Sequence, residues 1–208
     1  MAKDVRVAID QNRSSETLVV NEDIDTLSLE EIIYSKLESA VRLVEMEAPL
    51  TMLESGHNFV DDNSKDFFIG EDGKGFVVLP NDFMRLLCFR MSDWERTVYE
   101  AITENDPVYK LQSSKWKGVC GTKEKPVVAI VRRSEGKVLE FYSSDDNKAK
   151  VEQAAYLPYP RIDESGGIDI SEDCYEASVY RAASLVLASI GDQLSGTMLE
   201  ISKGLLGV

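Results

Sequence analysis

The sequence has one histidine, three cysteines and no apolar run near the roughly 20 residues that a membrane span needs. Each scarcity narrows the chemistry open to it. With His57 alone there is no H-E-x-x-H zinc signature and no histidine pair. A Ser-His-Asp or Cys-His mechanism would have to use that one ring, and its surroundings, "ESGHNF", offer no nucleophile elbow. Cys88, Cys120 and Cys174 are widely spaced, odd in number and form no C-x-x-C pair. This argues against a zinc knuckle or a disulfide framework and for free thiols in a reducing compartment. The first ten residues, MAKDVRVAID, alternate charge with apolar side chains and cannot serve as the core of a signal peptide.

Acidic residues are abundant. Over 208 residues the net charge is -14, which argues against general affinity for nucleic acid or anionic membrane, since binding phosphates takes Lys and Arg. The charge is uneven. Residues 108–133 hold seven Lys and Arg against the single acid Glu124, so this segment is +6 and the remainder carries -20.

Hydrophobic periodicity predicts the elements. Val5, Val7 and Ile9 alternate with polar residues as in a short strand. Ser28 and Glu31 form a capping box, and Leu29, Ile32, Ile33, Leu37, Ala40, Val41 and Val44 follow on one helical face bounded by Pro49. "FFIGEDGKGFVVLP" predicts a β-hairpin turning at Asp72-Gly73. After Pro80, the 3–4 residue steps of Phe83, Leu87, Met91, Trp94, Val98 and Ile102 predict a long helix that Pro107 stops. A second hairpin turns at Ser134, Glu135 and Gly136, and "AAYLPYP" is extended. A third long helix is capped by Ser171 and ended by Gly191, and a fourth carries Leu194, Met198, Ile201 and Leu205 on one side.

Few stretches suggest chemistry. The joint Leu79-Pro80-Asn81-Asp82 lacks the glycines of a phosphate cradle and is expected to be a helix start capped by Asn81 or Asp82. The acidic run at residues 61–66 lacks the Gly and Glu that a calcium loop needs at its sixth and twelfth positions. Trp116 between Lys115 and Lys117 has the composition of a base-stacking platform, although one tryptophan in an acidic protein suits contact with acidic protein surface better. No cofactor and no metal site is expected.

The run "VVLPNDFMRLLCFRMSDWERTVYEAITENDPVYKLQSSKWKGVCGTKEKPVVAIV", followed by "KVLEFYSS", "AAYLPYPRID" and "YEASVYRAASLVLASIGD", resembles the ring or adaptor proteins of podovirus-type bacteriophage tails. The likeness is nearest to the ring proteins of crAss-like phages, with tail tubular protein A more distant, and it spans residues 24–206. It is carried by Leu79-Pro80, Trp94, Tyr109-Lys110-Leu111-Gln112, Pro126-Val127, Tyr156-Leu157-Pro158 and the Ala-rich helix at 177–188. The glycine-rich hairpin before Pro80 and the first twenty residues have no counterpart in it.

The resemblance implies a non-enzymatic virion protein. It would form a ring of about twelve copies beneath the portal vertex, touch the portal protein and an adjacent ring or nozzle protein, and let double-stranded DNA pass without specific binding. Together these observations give an expected α+β domain over residues 1–208, a bundle of about four amphipathic helices with a β-rich hairpin insertion between the second and third long helices. The helical core is expected at 24–107 and 168–206 with the hairpin at 67–80, the insertion at 108–160 and a docking arm at 1–23. The expected helical core is Ile33, Leu37, Val41, Phe83, Leu87, Met91, Trp94, Val179 and Val186. Lys115, Trp116, Lys117, Lys123, Lys125, Arg132 and Arg133 are expected at contacts with an adjacent subunit or ring. A channel for DNA is expected to be lined by some of Glu22, Asp23, Asp25, Asp61, Asp62, Asp145 and Asp146, since carboxylates repel phosphates. A monomeric assembly or interaction module of the same fold, and a hydrolase using His57, are the competing expectations.

Overall fold

The computed structural model describes residues 1–11, 28–54, 56–60, 67–114, 116, 118–144 and 148–207. In chain order the elements are α1 (Ala2–Gln11), α2 (Leu29–Glu47), β1 (His57–Asn58), β2 (Phe67–Ile69), β3 (Gly75–Val78), β4 (Phe83–Met91), β5 (Ile102–Thr103), α3 (Pro107–Leu111), β6 (Val128–Arg133), β7 (Gly136–Phe141), β8 (Val151–Pro158), α4 (Tyr175–Ser189) and α5 (Ser195–Leu206). Single 3-10 turns lie at Leu50–Met52 and Glu172–Cys174.

This corrects the expected fold class. The chain is mixed α/β, 37% helical and 24% strand, with five α-helices and two sheets of three and five strands among the described residues. It divides into two compact units, Met1–Glu54 with Pro160–Val208, and Ser55–Tyr159. The boundaries expected at 107 and 108 therefore move to 54 and 55.

The error lies in β4. Phe83, Leu87 and Met91 sit on a strand, and Trp94 follows it in a turn. β4 pairs antiparallel with β8, but its register shifts at three places, between Phe83 and Arg85, Leu86 and Cys88, and Arg90 and Met91. Each shift adds a residue to one strand and disturbs the two-residue alternation. Phe83, Leu86, Phe89 and Met91 consequently share one core at steps of two and three, which in the sequence imitates a helical stripe. The Pro80 joint is neither phosphate cradle nor helix cap. It is a turn closed by the Phe83 N–H on the Pro80 carbonyl at 3.1 Å, and it carries the chain from β3 in one sheet to β4 in the other. Asp82 accepts the Tyr156 hydroxyl at 3.0 Å.

The sheets run β1-β8-β4 and β2-β3-β7-β6-β5, with every pair antiparallel except β5–β6. Their shared core is aromatic. Phe83 stacks on Tyr156 with centroids 5.6 Å apart, and Trp94 meets Phe89 edge-on at 5.6 Å, geometries that the ring quadrupoles favour. The β2–β3 hairpin turns at Asp72-Gly73, where Gly73 has φ +73° and a Cβ would lie 1.7 Å from the Ser144 carbonyl oxygen. Only glycine fits there.

In the other unit α1, α2 and α5 bury one face each, while α4 is buried over most of its circumference. Val5 and Ile9 pack with Ile33, Leu37, Val179, Val186 and Met198 in one cluster, and Val41 of α2 is also buried. The N-terminus is therefore not the expected strand, and the first half of the expected docking arm is a helix packed into this cluster. Val5, Ala8 and Ile9 fall on one helical face while Val7 points outward. The remainder of the expected arm, residues 12–23, lies outside the described residues.

α2 begins with the capping box intact, the Ser28 hydroxyl oxygen accepting the Glu31 N–H and the Glu31 carboxylate accepting the Ser28 N–H at 2.7 Å. Ser171 does not cap the third long helix. Its N–H and hydroxyl donate to Glu45 Oε1 at 3.1 and 3.2 Å, tying the α4 approach to α2. Buried Arg181 on α4 pairs with Glu47 of α2 and donates to the Ser202 hydroxyl of α5 at 3.4 Å.

Candidate interaction loop

The basic segment is built around a short helix and a tight loop. Asp106 caps α3 by accepting the Val108 N–H at 2.8 Å, and Pro107 occupies the first turn, where a missing N–H costs nothing. α3 turns its two sides differently. Tyr109 packs toward the face of the five-stranded sheet that carries Ala129, Val131 and Val138, while Val108, Lys110 and Leu111 stay exposed.

Three side chains hold the loop that follows. Gln112, 2% exposed, uses both ends of its amide: Nε2 donates to the Val108 carbonyl at 3.0 Å and Oε1 accepts the Gly121 N–H at 2.8 Å. Its carbonyl accepts Lys74 Nζ at 3.2 Å, which anchors the loop to the β2–β3 turn. The Cys120 thiol lies within 3.2 to 3.5 Å of the carbonyls of Leu111, Ser114 and Trp116, so the chain is wrapped around this sulfur. The result presents Leu111, Val119 and Trp116 outward, the last 79% exposed.

Beneath α3 lies a buried carboxylate. Glu140 of β7 is 5% exposed and accepts Arg133 Nε at 2.7 Å and the hydroxyls of Tyr142 and Tyr109. Arg133 also lies 4.5 Å over the Phe76 ring. Burial first, then the bond to Glu140, pushes the Tyr142 phenol well above its ordinary value, and burial raises Tyr109 in the same direction. A buried charge is tolerated when it is paired and fully hydrogen-bonded, which Glu140 is.

The expected contact residues thus separate. Trp116 is the most exposed large apolar side chain among those described, and Lys125 and Arg132 are exposed with no ion pair to a described residue. Lys123 lines a cleft of about 400 Å³ together with Lys74, Cys120 and Glu124, charges of both signs. Arg133 is taken up by Glu140 within its own chain. Lys115 and Lys117 lie outside the described residues, as do all seven acids proposed for a channel lining. Phe83, Leu87, Met91 and Trp94 belong to the sheet unit and not to a helical core.

Gln112, Cys120 and Glu140 were not anticipated as organising residues. Only Glu140 left a signal, a lone acid between the apolar pair Val138 and Leu139 and Phe141 of β7. The His57 ring is exposed on β1, meets Tyr156 edge-on at 6.0 Å and makes no hydrogen bond to a described residue. No group of three or more His, Cys, Asp or Glu able to hold a metal occurs among the described residues, and no helix is long and apolar enough to cross a membrane. No protein-family model matches the chain, and no curated protein sequence matches it.

Proposed function

We propose that this chain is a structural virion subunit that assembles as a ring between the portal vertex and the tail of a podovirus-type phage, around the channel through which DNA leaves. The observation that carries this reading is the loop at 107–125. Exposed Trp116, with exposed Lys110 and Lys125 that make no ion pair to a described residue, is presented on a loop whose base is held by buried hydrogen bonds, in a chain of opposite net charge. Ring contacts are heterologous, so one patch of each copy meets a different patch of the next, and an exposed aromatic side chain in a cationic segment suits such a contact. Tyr109 to Gln112, part of the sequence likeness to ring proteins, are the residues that build the loop's base.

The mass of the purified protein in native mass spectrometry, alone and with its cognate portal protein, tests this. Closed assemblies of about twelve copies are expected. A stable monomer that ignores the portal would instead make the chain a monomeric assembly or interaction module.

A further inference from the structure

We draw no further inference here: the strongest candidate, the cleft of about 400 Å³ between the β2–β3 turn and the loop around Cys120, belongs to the interaction loop already described, and its lining of one cysteine and charges of both signs singles out no ligand.

Discussion

The Gln112 side-chain oxygen accepts the Gly121 backbone N–H at 2.8 Å, nine residues along the chain, and this bond closes the base of the exposed loop. Gln112→Ala leaves that N–H and the Val108 carbonyl without their buried partner, an expected loss of about 1–3 kcal/mol. Amide hydrogen exchange should accelerate over residues 113–120 while α2 and α4 keep their protection. Unchanged exchange in the loop would show that Cys120 and Lys74 hold it without the glutamine.

Glu140 depends on Arg133 in the same way. Arg133→Met leaves a buried carboxylate with only the two tyrosine hydroxyls. The expected cost is about 1–3 kcal/mol in chemical denaturation, less than for a fully buried pair because Arg133 keeps part of its exposure. Adding Glu140→Leu should recover part of the loss, since the double variant buries no unpaired charge. A double variant weaker than Arg133→Met would mean that the tyrosines, not the arginine, are the main partners of Glu140.

Glu45 predicts a pH dependence with a definite sign. Burial, set against its bonds from Ser171 and reinforced by the nearby Asp169 and Glu54 carboxylates, raises its pKa above the ordinary carboxylate value. The native state therefore favours protonated Glu45. That contribution is complete below the unfolded value near 4.5 and is lost as pH rises through the higher folded value. Glu45→Gln keeps an oxygen for Ser171 without the charge, so it should be more stable than wild type at neutral pH and should lose this part of the pH profile. Denaturant midpoints measured on both proteins from acid to neutral pH check it.

Tyr156 gives an alkaline counterpart. Burial and its hydrogen bond to Asp82 push its phenol up to about 12. Its contribution to stability is complete below the ordinary value of 10.0 and is lost as pH rises through about 12. Phenolate absorbance should show several late-titrating tyrosines, Tyr142 and Tyr175 among them, and Tyr156→Phe should remove one phenol from the step near 12.

Leu37 is buried between α2 and α4 at 2% exposure. Leu37→Ala should cost about 2–5 kcal/mol, read as a lowered midpoint for loss of helical ellipticity. An unchanged midpoint would mean that α2 does not close this core.

Local chemistry alone determined the parts of the fold that need only neighbouring residues. Ser28 and Glu31 start α2, Gly191 at φ +74° ends α4, and Asp72-Gly73 turns a hairpin, because each is set within a few residues. The apolar stripe of α2 was legible for the same reason. Tertiary structure decided β4. Phe83, Leu87 and Met91 satisfy a helical spacing and a bulged strand equally well, and only pairing with β8 selects the strand. It also decided α1, where Val5 and Ile9 fit either period until α2 and α4 offer a surface to pack on. The loop's supports were hidden because their partners are remote or lie outside any regular pattern. Nothing within "KLQSS" indicates that Gln112 will be buried against Gly121, and nothing near Arg133 shows that it will be used by Glu140 across a hairpin and so be unavailable to a partner.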